Sequence, residues 1–388
     1  MNALRAGLSV VLFSVAILFA TSPSSAQLMI VGNDQKFAWD ETNTRQVMPP
    51  GKDTVSIVDI GTDPAAPKIV ANLPLMNSLI GPPTNLAMTP DERLAIVANS
   101  LDWVQDGASW KQVPDNKVFV IDLKMTPPVH AATLEVGRQP SGVAINRLGD
   151  LALVANRVDK SISVLSIQGR EVKVVGTVTV GDEVVAVAFT PDGKRALAVK
   201  PTSHKIALLD VSGLNVTYTK YDLRVGLTPY NIDVTPNGKL AIVADLGESD
   251  GHIDTVSVID LEATPPRVID RVAVGDAPEG LAISPTGEIA VAALLRGTNA
   301  PKTAWYYNRN GSIVILSIEG KRVTKIKELE VGGLPEGIVF SPDGKYLYVG
   351  NLIDRDVSIF RVDGTNVTDT GKRLKLPGQP ASMRGRPR

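Results

Sequence analysis

The sequence predicts an all-β, seven-bladed β-propeller, and three observations carry that prediction. A strand–turn–strand phrase recurs along the chain with starts 57, 44, 45, 49 and 57 residues apart, the spacing of a repeated supersecondary unit. Each phrase is followed by two further short apolar runs, so the unit has four strands. The two ends of the chain hold complementary fragments of one such unit.

The phrase reads LAMTPDERLAIVANS from Leu86, VAINRLGDLALVANR from Val143, VAFTPDGKRALAVK from Val187, IDVTPNGKLAIVAD from Ile232, LAISPTGEIAVAAL from Leu281 and IVFSPDGKYLYVGN from Ile338. These are blades 1 to 6. Most pairs are punctuated by Pro-Asp-Gly or a close variant, a turn signal between strands. Third strands follow as KVFVIDL, SISVLSI, KIALLDV, TVSVIDL, SIVILSI and DVSIFRV. A fourth, such as VKVVGTVTVG, then leads towards the next Pro, and four-stranded units repeated radially make a propeller. The chain ends in GQPASMRG, a first strand lacking its second, and LMIVGN, TVSIVDI and PKIVANL near the start lack a first. Together they complete a seventh, closing blade, which hides two otherwise open strand edges.

Residues 1–26 read as a secretory signal: Arg5, an apolar run from Leu8 to Ala20, then Ser24-x-Ala26 before the expected cleavage. The propeller then occupies 27–388, and the expected location is periplasmic or extracellular, with no membrane span after cleavage. Arg5 is the one charged residue of the leader, leaving 39 basic side chains against 41 acidic ones. That near balance argues against nucleic acid as the main partner. The chain has no Cys, which excludes disulfides and thiolate chemistry and leaves packing to stabilise an exported chain.

With these phrases in view, the chain resembles the YVTN-type β-propeller repeat family of exported and surface-layer proteins. Similar blades occur in lactonase-like propellers, in the heavy chain of methylamine dehydrogenase and in the haem d1 domain of nitrite reductases. IVAN, LVAN, LAVK, IVAD and YVGN stand at the family's motif, and blade 3 departs from it by entering through GDEVVAVAF without Pro. The resemblance covers residues 28 to 385 and implies the fold. It does not choose among scaffolds, binders and enzymes.

One-to-two turns are tight, so function is expected on the opposite face, where the two-to-three loops lie beside the connections between blades. Three of those loops are long: Asp34 to Asp53, Leu101 to Asn116 and Arg296 to Gly311. They contain every Trp of the chain, Trp39, Trp103, Trp110 and Trp305, with Tyr306 and Tyr307. Such rings either pack the insertions down or form a rim that stacks on a ligand or partner. Around the axial mouth, second-strand ends offer Asn156, Lys200 and Asp245. Glu279 and Glu336 stand at matching places in neighbouring blades, where they suit a hard cation such as Ca²⁺ with Asn85 and Asn231, or an acid–base pair. Tyr230 and Arg138 complete the candidate catalytic set, and no other cofactor is expected. Three functions follow: binding of a small molecule or protein on the loop-rich face, lactonase-like hydrolysis or isomerisation at the mouth, or a structural role at the cell surface.

Overall fold

The computed structural model describes residues 27–77 and 80–387; the expected signal segment lies outside them. Seven four-stranded antiparallel sheets form the ring, and the described residues contain no helix. The closing blade pairs Leu28–Asp34 with Gln379–Gly385, register Met29↔Gly385 to Asp34↔Gln379 with one irregularity at Gly32/Asn33. Ring closure by strands from both ends of the chain is therefore as the sequence predicts.

The middle of each second strand is apolar and buried because neighbouring blades cover both of its faces. In Ile289–Leu294, every residue is buried. Ala290, Ala292 and Leu294 face the blade 4 cluster, and Ile289, Val291 and Ala293 face the blade 6 cluster. Each fully buried Val, Leu or Ile contributes about 1.5–3 kcal/mol of transfer free energy, so the repeated interfaces supply most of what holds the ring. Outer strands alternate instead, as in Lys68–Leu73, where Lys68, Val70 and Asn72 are exposed.

The Pro-Asp-Gly turns have a local logic. In blade 3, Thr190 Oγ1 donates to Asp192 Oδ1 at 2.6 Å, while the Lys194 and Arg195 amides donate to Asp192 Oδ1 and Thr190 Oγ1. Gly193 takes φ +67°, a left-handed conformation natural to glycine. Blade 6 repeats the arrangement with Ser341, Asp343 and Gly344.

Two insertions differ from simple loops. The blade 1 insertion continues the second and third strands as a ribbon, Leu94–Asp106 paired with Ser109–Asp122. The insertion of the closing blade carries a small hairpin, Phe37–Trp39 with Arg45–Val47.

Candidate functional site: the axial mouth

First strands line the channel, and their starting residues ring its mouth on the loop-rich face. Neighbouring first strands come so close there that a side chain would not fit at some positions. A Cβ on Gly280 would lie 1.9 Å from the Glu336 carbonyl oxygen. The Glu-Gly pair thus places a carboxylate at the mouth and then lets the next blade approach.

Glu279 and Glu336 meet in this ring, only 8% and 2% exposed, and their carboxyls hydrogen-bond to each other. Burial pushes Glu279 up to about 8, against the lowering influence of its bond to Glu336 and of Arg157. Burial, then the charge of Glu279, raises Glu336 well above the carboxylate range. The pair therefore holds a proton at neutral pH. Tyr230 joins it: burial foremost raises its hydroxyl, the Arg157 charge draws it back, and the charges of both Glu residues push it up further.

The cation of the site is Arg157. Its Nε and Nη2 donate to Glu183 Oε1 at 2.8 and 2.7 Å. Arg138, the residue expected from the sequence, is elsewhere: its side chain is 64% exposed and pairs with Asp159 at 2.7 Å. Its backbone amide also donates to Asp159 Oδ2 at 2.8 Å, so main chain and side chain are both held to that outer carboxylate.

Asn156, Lys200 and Asp245 are also buried, and the bonds they make run inside their own blades, which leaves Oδ1 of Asn156 and of Asp245 without a partner. Asn156 Nδ2 donates to Ser161 and Ser163, and Asp245 Oδ2 accepts from Thr255 and Ser257. Lys200 pairs with Asp222 at 3.0 Å. Each ties the second strand to the third or fourth. Asn231 is likewise committed, with Oδ1 accepting from the Ile232 amide and Nδ2 donating to the Glu279 carbonyl. Asn85 is buried in the ring. Among the described residues no group of three or more His, Cys, Asp or Glu is disposed to hold a metal ion.

Two segments lie over the mouth, and the sequence had marked only one of them as an insertion. The hairpin of the closing blade reaches across to blade 5, where Asn43 Nδ2 donates to the Thr298 and Ala300 carbonyls and the Lys302 amide donates to Thr42. Trp39 packs beneath it against Ala277, Leu334, Leu352 and Ala381, residues of the blade 5, blade 6 and closing-blade rim. The second is the connection from the closing blade to blade 1. Its Gly81, at φ +129°, sits so close to Ser141 that a Cβ would be 2.3 Å from Ser141 Oγ and 4.0 Å from Arg157 Nη1. A buried ion cluster fastens the roots of both. Lys36, fully buried, bonds Asp53 and the Asn77 carbonyl and lies 3.4 Å from Asp34. Among the described residues the apolar contacts of this lid run to blades 1, 5 and 6 and the closing blade, and Gly81 brings it to blade 2 at Ser141, beside Arg157.

The aromatic residues do not form a single rim. Trp103 is 5% exposed and meets Phe37 edge-on, with ring centroids 5.5 Å apart. Trp110 and Ile80 pack on the same cluster. Trp305 alone is prominently exposed, at 75%, leaning on Tyr306 and His252. Tyr307 is half-buried nearby in sequence. The rings divide in this way because the closing-blade and blade 1 insertions bury their rings against each other, while Trp305 has only Tyr306 and the blade 4 loop at Gly251 and His252 beside it.

Several buried polar atoms of the mouth have no protein partner: Thr84 Oγ1, Ser141 Oγ, Arg157 Nη1, Glu336 Oε2, Ser382 Oγ and the indole nitrogen of Trp39. Ser141, Thr84 and Ser382 were legible as positions at the starts of first strands, and Arg157 as a neighbour of the mouth.

No protein-family model matches the chain. Antigen Lp49 of Leptospira interrogans is 29% identical over 117 residues, 30% of this chain and 25% of that one; the match spans a quarter of that relative's length. Among solved structures, the periplasmic gluconolactonase of Pseudomonas aeruginosa superposes with TM-score 0.66 at 16% identity, over 94% of this chain and 99% of that one. A candidate 6-phosphogluconolactonase from Bacteroides fragilis gives TM-score 0.68 at 19% identity, over 94% and 99%. At such identities the likeness establishes the fold, a seven-bladed propeller with lactonase-like structural neighbours, and no more.

Proposed function

We propose that the protein is an exported propeller of the YVTN type that binds a small polar molecule in its axial mouth, under the lid and beside Arg157 and the carboxyl pair. The observation carrying this reading is the convergence of partnerless buried polar atoms on one site. A buried polar group left unmade costs about 1–3 kcal/mol, and the ring assembles several of them, which a hydroxyl- and carbonyl-rich guest would satisfy together. Arg157 suits a carboxylate on that guest, the protonated carboxyl pair can donate to a carbonyl, and Ser141, Thr84 and Ser382 can meet hydroxyls.

A second reading rests on the buried carboxyl pair and is supported by the lactonase-like neighbours. In it, Glu279, ionising as pH approaches 8, removes a proton from water as the water attacks a lactone carbonyl. The ring C–O bond breaks and the same proton passes to the departing alkoxide, giving a hydroxy acid. Thermal-shift screening against sugar lactones, sugar acids and hydroxy acids, each with Ca²⁺ and with chelator, tests the binding reading. A hit should vanish in Glu336→Gln and Arg157→Met; hits that survive both variants would place binding elsewhere. Release of acid from a bound lactone, lost in Glu279→Gln with binding retained, would establish the hydrolytic reading. Dependence on Ca²⁺ would bring in the cation expected from the carboxylates.

A further inference from the structure

The other end of the channel, on the face of the tight turns, has a chemistry of its own. A cavity of ≈ 170 Å³ opens there between the ends of the first strands. Its wall is apolar, built from Ile145, Phe189, Val234 and Phe340, and Arg147, Arg384 and Arg386 line it as well. Arg147 is exposed and makes no hydrogen bond or ion pair among the described residues. The carboxylate of the lining, Asp233, is engaged by backbone: Oδ1 accepts from the Val234 amide at 2.9 Å and Oδ2 from the Ile283 amide at 2.8 Å.

We propose that this end of the channel is a second ligand site, one that takes a small monoanion with an apolar body, such as a medium-chain carboxylate. The wall offers the body a place out of water, at roughly 25 cal/mol per Å² of apolar surface removed. The Arg147 guanidinium, with Arg386 also at the opening, offers the head a cationic partner, and guanidinium matches a carboxylate with paired, parallel hydrogen bonds. A simple hydrocarbon would leave that cation unused, and an inorganic anion would leave the wall exposed. The site is separate from the mouth: Glu336 and Phe340 are four residues apart in the strand Pro335–Phe340, roughly 13 Å at about 3.3 Å per residue.

Isothermal titration of the intact protein with octanoate, octanol, octylammonium and inorganic phosphate tests the proposal. Octanoate should bind at least about tenfold more tightly than octanol or octylammonium, and phosphate should not displace it at equal concentration. The double variant R147Q/R386Q, altered only at exposed side chains, should lose about tenfold for octanoate and nothing for octanol. Glu336→Gln should leave octanoate binding unchanged, which separates this site from the mouth. Equal binding of octanoate and octylammonium, displacement by phosphate, no binding of octanoate at millimolar concentration, or indifference to the arginine changes would each overturn it.

Discussion

Glu279 and Glu336 occupy the same position in neighbouring blades and meet carboxyl to carboxyl at the channel mouth, buried and hydrogen-bonded to each other. Two carboxylates in such a place cannot both ionise without a large penalty, so the fold holds a proton that the unfolded chain would release near pH 4.5.

The sign of the consequence follows from linkage. A carboxyl raised in the folded state contributes stability that is fully present below its unfolded pKa and is lost as pH rises through the folded value, here about 8 for Glu279. Between pH 5 and pH 9 the wild-type protein should lose about 4 kcal/mol from Glu279 alone, or roughly 5 °C in Tm. Glu336→Gln keeps the shape, removes one of the competing charges and should flatten that slope, so that the variant overtakes the wild type at high pH. Thermal melts across the range check this; parallel wild-type and variant profiles would mean that the pair is not protonated.

Asp245 gives a second pH-dependent term at a position where Asn33, Asn156 and Asn351 stand in other blades. Burial raises it to about 7, against hydrogen bonds from Ser257 and Thr255, and its Oδ1 has no partner. Below pH 4 the neutral acid is as acceptable as an amide, and stability declines as pH rises from there through 7. Asp245→Asn should therefore leave stability unchanged at pH 4 and increase it by about 1–3 kcal/mol at pH 8. Urea denaturation at the two pH values measures the difference.

The exposed and buried tryptophans should part company on mutation. Trp103→Ala opens a cavity against Phe37 and should cost about 3–5 kcal/mol, loosening both the ribbon and the lid. Trp305→Ala removes a ring that is 75% exposed and should change stability by less than about 0.5 kcal/mol. Equilibrium denaturation of the two variants decides this, and equal losses would contradict the packing described.

The propeller was readable from sequence because its period, its turn residues and its complementary ends are all local or arithmetic features. The carboxyl pair was readable for the same reason, since matching positions in adjacent blades must be neighbours in a ring. Asn156 and Asp245 were harder: the same register that brings them near the axis turns them into their own sheets. A signal was available in Ser161-x-Ser163 and Thr255-x-Ser257, alternate hydroxyls on the facing third strands that await a partner. The choice between Arg138 and Arg157 depends on which carboxylate each one finds, Asp159 outside or Glu183 beside the mouth, and the division of the tryptophans depends on which insertions touch. Neither is encoded in periodicity. The apolar cavity at the tight-turn end combines strand ends from several blades with the chain terminus, a conjunction visible only when the ring is closed.

Arg157 and Arg138 supply the sharpest contrast for the mouth. From its seat on Glu183 the Arg157 charge acts on Tyr230 and Glu279, and its Nη1 has no protein partner. Arg157→Met retains much of the side chain's volume but removes the donors, and should abolish binding of any anionic ligand at the mouth, a loss of at least about tenfold. It should also raise the Glu279 carboxyl further, because Arg157 is one of the influences lowering it. The pH midpoint of the stability decline should then move upward. Arg138→Ala breaks an exposed pair with Asp159, of a kind worth less than about 1 kcal/mol, and should leave ligand affinity and the pH midpoint where they are. Titration calorimetry with a ligand from the screen, together with melts against pH, reads both effects. A shifted midpoint without lost binding would make Arg157 a tuner of the carboxyls, whereas lost affinity in Arg138→Ala would relocate the site to the outer surface.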